Sequence, residues 1–316
     1  MPENSIQKFR LGPAGPALLA LAILASFFVV PLAGPFLVLV LPAPLAYARL
    51  RYGSVNFALA SALCLVMTAF GGGFPVFSAM AAGLSLTAFV LAGSLAKGER
   101  YDLGILKGAL LPLLAVGPLA GLYFLAAGVD PWALLAATLD QGVKESVDIY
   151  KHMGMSQADI DALMPSLKLF KTAVMDYFPA ILLSISAWAS LFSFILLRRR
   201  AAKDGLAAGS GLPMNRWLAP DHAVWGVIIP GFLLIPAVPV LRQAAGNLLV
   251  SFAVVYMFQG MAVVSFLFER FKVSPFLRWL GWLLILLQPL LGLLACSAGL
   301  FDTWLDFRKL RPRKPK

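Results

Sequence analysis

Polar side chains inside the hydrophobic parts of the chain are the residues of this sequence that could bind a substrate. Asn247, Ser251 and Gln259 follow one another at steps of four and eight residues in the apolar run 244–268, and Tyr256 lies close to their face. Because an α-helix makes one turn in 3.6 residues, these spacings place the side chains along one face. We predict that this polar stripe lines a substrate-binding cavity; hydrogen bonding between helices is the alternative.

One acid, Asp176, lies well inside an apolar run, near the end of the sixth candidate span that we expect on the outer face. Charged groups at membrane depth are costly and mark binding or transport sites by default. We therefore add Asp176 to the predicted substrate contacts. An ion pair with Lys168 or Lys171, or a position at the membrane interface, is the alternative for this carboxylate.

The C-terminal part of the chain carries a second set of candidates. Asp302 and Asp306 are four residues apart, so they share a helix face beside Trp304 and Arg308. Aromatic and basic residues at this position favour contact with the inner lipid leaflet or with a partner protein. We predict lipid or partner contact for these four residues; ordinary interfacial anchoring is the alternative.

Catalytic motifs are missing from the sequence. It has no HExxH, no Walker A and no GxSxG pattern, and His152 and His222 are far apart. Cys64 and Cys296 stand alone in apolar runs, which is typical of packing residues. We expect no catalytic residue, no metal and no cofactor, and a protein that is not an enzyme. Active transport would then need a partner ATPase or an ion gradient.

The composition decides the class of fold. Of 316 residues, 60% are hydrophobic and 13% are charged, whereas a soluble domain has about 45–50% apolar and about 25% charged residues. The sequence predicts an all-α, polytopic transmembrane helix bundle. The net charge of +11 fits basic cytoplasmic connections between spans better than nucleic-acid binding, so we expect membrane lipids and no nucleic acid as partners.

Apolar runs long enough to approach a membrane span predict eight or nine membrane helices. The segment 222–241 contains Pro230, Pro236 and Pro239 and is the one that we expect to be broken or re-entrant. Eight and nine membrane helices place the C-terminus on opposite sides of the membrane, so its side is not determined. The candidate spans are 13–31, 34–48, 55–71, 74–96, 104–128, 167–197, 222–241, 244–268 and 276–300.

Basic clusters assign the sides of the membrane. They predict cytoplasmic connections, with uncharged outer turns such as Gly71–Gly73 between them, so that six spans alternate with both ends inside. We expect a multi-pass protein of the bacterial cytoplasmic (inner) membrane. The clusters contain Lys8 and Arg10, Arg49 and Arg51, Lys97, Arg100 and Lys107, and then Arg198, Arg199, Arg200 and Lys203.

Changes in composition divide the chain. The connection 129–166 is semi-apolar, carries six acids against two bases and predicts one or two extracytoplasmic amphipathic helices, one with a capping-box-like start at Ser156. Pairs of small residues four apart, such as Gly117 with Gly121, predict close packing within the bundle. The predicted parts are a six-span N-terminal membrane unit (1–200), a cytoplasmic linker (201–221), C-terminal membrane helices (222–301) and a basic tail (302–316).

Two stretches carry a family resemblance. They are Asn247-Leu-Leu-Val-Ser with Tyr256-Met-Phe-Gln-Gly-Met-Ala-Val-Val, and Gly299-Leu-Phe-Asp-Thr-Trp-Leu-Asp-Phe-Arg-Lys-Leu. Together with the segment 41–53, they make the chain resemble the YybS-like family of predicted bacterial membrane proteins (domain of unknown function 2232). The resemblance covers nearly the whole chain and implies no established biochemical activity.

That family is in turn distantly similar to the S components of energy-coupling-factor transporters. The similarity implies a bundle whose first six helices are S-component-like, a small-molecule ligand and a coupling membrane protein as partner. Two functions follow as hypotheses. The first is a small-molecule transport or substrate-binding component without its own ATPase. The second is a non-transport scaffold or assembly factor that docks partners through its cytoplasmic face.

Overall fold

The computed structural model describes residues 12–30, 34–70, 76–206, 214–236 and 238–310. The predicted turn at Gly71–Gly73, part of the predicted linker and the end of the basic tail lie outside these residues. Within the described ranges the regular structure is helical, which confirms the all-α class. The helices are α1 (Ala14–Val29), α2 (Gly34–Val38), α3 (Pro42–Phe70), α4 (Val76–Ala96), α5 (Tyr101–Ala127), α6 (Pro131–His152), α7 (Gln157–Lys203), α8 (Trp225–Leu233), α9 (Pro239–Arg270), α10 (Pro275–Leu287) and α11 (Pro289–Leu305).

Several of these helices are long and apolar enough to cross a membrane, so the chain is a helical membrane protein. Among the described residues five segments meet this test: Gly34–Phe70, α4, α5, α7 and α9. The bent pair α10–α11 makes a sixth if it is one broken span. The predicted number of eight or nine membrane helices is therefore larger than the five or six segments that meet this test among the described residues. Helix α1 and the segment Asp221–Leu233 are apolar but shorter.

Glycine and proline interrupt the predicted spans at defined points. Within α3, Gly53 has φ 88° and ψ 176°, which is non-helical, and it separates the predicted spans 34–48 and 55–71. Glycine adopts this conformation because it has no Cβ. In the segment 222–241, α8 ends at Leu233 and α9 begins at Pro239, so the helix is interrupted where the prolines predicted a break.

The predicted span 276–300 is not one straight helix. It consists of α10 and α11, which meet at an angle of 102°. Gln288 between them is extended (φ −107°, ψ 105°) and Pro289 opens α11. Proline disfavours the α conformation of the residue before it and has no N–H to continue the helix, and both properties favour a break at Gln288.

The connection 129–166 contains the amphipathic helix that the sequence predicts. Helix α6 has no buried residue and begins with Asp130, whose Oδ1 accepts a hydrogen bond from Trp132 N (2.9 Å). The second helix is not a short one. Ser156 caps it, accepting from Asp159 N (3.2 Å) as predicted, but the helix continues as the 47-residue α7.

The chain forms two compact units. Unit 1 contains Met1–Gly128 and Ile185–Gly211, and unit 2 contains Val129–Ser184 and Leu212–Lys316. The predicted division at residue 200 does not coincide with these units, because α7 contributes its first part to unit 2 and its second part to unit 1. In unit 2 that first part is bound to α6 by the Lys171–Asp140 ion pair.

In unit 1, serine hydroxyls and a glycine bring α5 and the second part of α7 together. Ser186 Oγ donates to Ala109 O and Ser190 Oγ donates to Ile105 O, both at 2.8 Å. A Cβ on Gly108 would lie 2.5 Å from Ser190 Oγ, so a larger residue would require the neighbouring side chains to move. Small residues and polar side chains at such contacts are the usual way in which membrane helices associate.

Candidate functional site

A cavity of about 760 Å³ lies within unit 1. Most of its wall is apolar, and its polar groups are two tyrosines, two arginines and one aspartate. Binding sites for small molecules commonly combine an apolar wall with a few placed polar groups. The lining residues are Gly12, Gly15, Pro16, Leu19, Ile23, Val40, Ala43, Pro44, Tyr47, Arg51, Tyr52, Leu196, Leu197, Arg200 and Asp204.

The polar side of this cavity is organised around Asp204. Tyr47 OH donates to Asp204 Oδ2 at 2.6 Å, and Arg200 Nε lies 3.1 Å from the same oxygen. The Arg200 guanidinium carbon is 5.4 Å from the centre of the Tyr47 ring. Two donors and an aromatic face therefore fix the carboxylate and one guanidinium. Arg51 lines the same side and makes no hydrogen bond or ion pair with the residues that the structure describes.

Local sequence explains how the helices bring these groups into place. Tyr47 and Arg51 are one helical turn apart on α3, directly before the break at Gly53. Arg200 lies in the last turn of α7, and Asp204 follows it, with Asp204 N bonded to Arg200 O (3.2 Å). In the sequence, Arg51 and Arg200 indicate only the side of the membrane. The missed signal is the pair of four-residue spacings, Tyr47 to Arg51 and Arg200 to Asp204.

Two ion pairs lie elsewhere on the predicted cytoplasmic side. Lys107 Nζ lies 2.8 Å from Glu99 Oε2, and Arg100 Nη2 lies 2.7 Å from Asp102 Oδ2. The hydrogen bond from Lys107 is the largest reason why the pKa of Glu99 is lowered; Ser94 adds a second hydrogen bond. The pairing of these groups contrasts with the Arg51 side chain in the cavity.

The predicted polar stripe lies in unit 2, where Asn247 joins α9 to α7. Its Nδ2 donates to Asp176 O (2.8 Å) and its Oδ1 accepts from Ala180 N (3.1 Å). These are the C=O and N–H that an uninterrupted helix would pair with each other, and Pro179 lies between them. The Asn247 amide thus satisfies backbone groups beside a proline. For this residue the structure shows hydrogen bonding between helices, which was the alternative to lining a cavity.

The neighbours of the other predicted substrate contacts are groups of the protein itself. Ser251 Oγ donates to Asn247 O within α9 (2.8 Å), and the buried Tyr256 hydroxyl lies beside Thr303. The Asp176 carboxylate forms no ion pair with Lys168 or Lys171 in the described residues, and Lys171 is bound to Asp140 instead. Neither Asp176 nor any residue of the stripe lines the cavity of unit 1. Substrate contact by these residues stays a prediction.

Gln259 belongs to a buried cluster with two of the C-terminal candidates. Arg308 Nη2 lies 2.6 Å from Asp302 Oδ2, and Gln259 Nε2 donates to the same oxygen at 3.1 Å. Both side chains of the ion pair are 0% exposed. Arg308 Nη1 donates to the carbonyls of Asn215 and Trp217, and Gln259 Oε1 accepts from Ala219 N. The cluster therefore holds the segment 215–219 against the end of α11.

The four C-terminal candidates, Asp302, Trp304, Asp306 and Arg308, differ in their exposure. Asp302 and Arg308 have their partners inside unit 2, while Trp304 is 56% exposed. Asp306 ends α11 in the left-handed conformation (φ 42°) and accepts from Leu310 N (2.9 Å). Lipid or partner contact stays a prediction, and Trp304 is the side chain of the four that is best exposed for it. No group of three His, Cys, Asp or Glu side chains in the described ranges could hold a metal ion.

Comparison with known proteins gives one match. No curated protein and no solved structure matches the chain. A family model described as "Predicted membrane protein (DUF2232)" matches residues 17–303, which cover most of the chain and both units. The match agrees with the YybS-like resemblance of the two motif stretches. The chain therefore belongs to the DUF2232 family of predicted membrane proteins.

Proposed function

We propose that this protein is a substrate-binding or transport component for a small molecule in the bacterial cytoplasmic membrane, without an ATPase of its own. The observation that carries the proposal is the cavity in unit 1. Its volume of about 760 Å³ falls within the range of roughly 300–1,000 Å³ that is usual for small-molecule sites. Its polar groups lie together on one side and its apolar groups form the remaining wall.

The organisation of the polar side supports binding over simple packing. A carboxylate held by Tyr47 and Arg200 keeps a fixed position, and fixed groups lose little conformational entropy when a ligand arrives. The distant similarity of the YybS-like family to S components would add a coupling membrane protein with ATPases as the expected partner. Fold-level similarity does not determine function, so the cavity is the stronger support.

The test is ligand binding to the purified full-length chain. Native mass spectrometry and thermal-shift measurements against metabolites and a lipid extract should find a ligand that Ala43→Phe removes, because Ala43 lines the cavity. The matched control is Ala58→Phe, the same substitution at an exposed position of the same helix. Leu19→Trp, at a lining residue that is 55% exposed, repeats the blocking without disturbing a buried position. Ligands that bind all four proteins equally, or no ligand at all, would refute the proposal.

The scaffold function is kept as a second candidate because of the exposed apolar end of α11. Phe301, Trp304 and Leu305 are each more than half exposed. Such a surface suits lipid or a partner helix. Affinity purification from cells with Trp304→Ala separates the two: a partner that is lost in the variant supports docking, and an unchanged set of partners counts against it.

A further inference from the structure

We infer that the ligand of the unit 1 cavity is an amphipathic anion, with its charged group beside Arg51 and Arg200 and its apolar part along the walls from α1 and α7. This inference rests on the proposed function and names the chemical class of its ligand. Three features carry it: the balance of charge at the cavity, the way in which the one acid is engaged, and the apolar wall that adjoins the arginines.

The charge balance favours an anion. Two arginines and one aspartate line the cavity. Arg200 is bound to Asp204, which leaves the charge of Arg51 without a partner among the described residues. A guanidinium beside an apolar wall attracts a negative charge more than one in open solution does, because the wall has a lower dielectric constant than water. Guanidinium groups also match the geometry of phosphate and carboxylate oxygens.

The aspartate is already engaged and does not compete for the ligand. Asp204 is 12% exposed at its side chain, and its Oδ2 receives both Tyr47 OH and Arg200 Nε. The Arg200 side chain, in contrast, is 57% exposed. The carboxylate thus serves to hold the Arg200 guanidinium in place, while part of that group remains accessible to a ligand on the open side.

The apolar wall requires more than a small inorganic anion. Leu19 and Ile23 of α1 and Leu196 of α7 line the same cavity as the arginines. A phosphate ion alone would make no contact with these apolar side chains, whereas an alkyl or acyl chain would pack against them. Both a membrane lipid with an anionic head group and a water-soluble amphipathic phosphate have this chemistry.

The experiment compares probes that differ in the charge of the head group and in whether they carry an alkyl or acyl chain. The full-length protein in neutral detergent is titrated with dioleoyl phosphatidic acid, dioleoyl phosphatidylcholine, octyl phosphate and inorganic phosphate, and bound molecules are counted by native mass spectrometry. We expect phosphatidic acid or octyl phosphate to bind at least ten-fold more tightly than phosphatidylcholine and phosphate. Binding of phosphatidic acid alone identifies a lipid ligand; binding of octyl phosphate alone identifies a soluble one.

Variants link this binding to the cavity. Arg51→Gln should weaken the anionic probe at least ten-fold and Arg51→Lys should restore most of it. Arg199→Gln, which removes the same charge at an exposed neighbouring position outside the cavity, should change it less than two-fold. Because Arg51 is exposed, melting temperature and size-exclusion profile should match the parent protein, and they verify folding.

The outcomes separate the inference from the proposed function. A neutral amphiphile that binds as tightly as the anionic one, and is lost in Ala43→Phe, overturns the inference and leaves the proposed function standing. Equal loss of anion binding in Arg51→Gln and Arg199→Gln also overturns the inference, because it indicates general attraction to the basic surface. If no probe, metabolite or lipid binds in a manner that depends on Ala43, both fail.

Discussion

At the scale of single residues, buried and half-buried polar side chains bind backbone groups beside a proline and in an irregular segment. Asn247 does this for Asp176 O and Ala180 N beside Pro179. Arg308 and Gln259 do it for the segment 215–219. Each unsatisfied group in an apolar environment is expensive, so one side chain with two polar ends can stabilise a whole irregular segment.

Removing the Asn247 amide should destabilise unit 2. Asn247→Ala leaves the Asp176 carbonyl and the Ala180 N–H without their side-chain partner, and we expect a loss of about 1–2 kcal/mol. The measurement is the melting temperature of the purified protein in detergent. The control is Thr172→Ala, since the exposed Thr172 donates to Lys168 O (3.1 Å) within the continuous helix α7. Equal melting temperatures for the two variants would show that the Asn247 contacts carry no stability.

Replacing only one partner of the buried Asp302–Arg308 ion pair should strongly destabilise the protein. Asp302→Asn leaves the fully buried Arg308 charge without its counter-ion, and we expect a loss of about 3 kcal/mol or more. The double variant Asp302→Asn with Arg308→Gln should lose less than the sum of the single variants, because no lone charge remains.

Urea titration followed by intrinsic fluorescence checks these losses. The control is Arg100→Gln, which breaks a pair whose arginine side chain is 74% exposed and should cost no more than about 1 kcal/mol. Additive losses in the double variant would contradict the internal role of the pair.

At the scale of helices, glycines set how closely neighbouring helices approach. A Cβ on Gly299 would lie 2.1 Å from Tyr256 O. A Cβ on Gly246 would lie 2.4 Å from the Tyr177 ring. The four-residue spacing of Gly117 and Gly121 predicted close packing there, but a Cβ at either would meet nothing within 4 Å among the described residues. That prediction was wrong at these two positions, because a four-residue spacing shows which residues share a face and not what the face meets.

Adding one methyl group at the α9–α11 contact should separate the two helices. Gly299→Ala brings its Cβ against backbone that cannot turn away, and we expect a loss of about 1–3 kcal/mol. Gly121→Ala is the matched control; it meets open space and should be neutral or stabilise slightly, because alanine favours a helix over glycine. The measurement is the thermal unfolding of both variants. A Gly299→Ala protein that is as stable as the Gly121→Ala protein would disprove the close contact.

The sequence predicts elements well where the backbone itself is constrained. The prolines of 222–241 predicted the interruption between α8 and α9, and Asp159 with Ser156 predicted the start of α7. The bend at Gln288 was missed although Pro289 was visible, because proline also occurs inside continuous helices such as α5 and α7. Whether a proline ends a helix depends on what packs against it, which a single sequence does not contain.

At the scale of the whole molecule, composition determined the class of protein but not the place of its cavity. Tyr47 and Asp204 are 157 residues apart, so no periodicity connects them. The polar stripe on α9 was the visible candidate because its residues lie on one helix. The cavity of unit 1 draws on α1, α3 and α7, and its charged residues resemble ordinary basic connections when they are considered singly.

Site-directed photolabelling tests the central claim, ligand binding in the cavity of unit 1, most directly. Alkyl-diazirine probes with anionic and neutral head groups are added to the full-length protein in phosphatidylcholine nanodiscs, and adducts are mapped by peptide mass spectrometry. We predict that at least one probe labels the lining of α1 and residues 196–204, that Ala43→Phe abolishes this labelling, and that Ala58→Phe preserves it. Labelling spread over all lipid-exposed helices and unaffected by Ala43→Phe would contradict the claim.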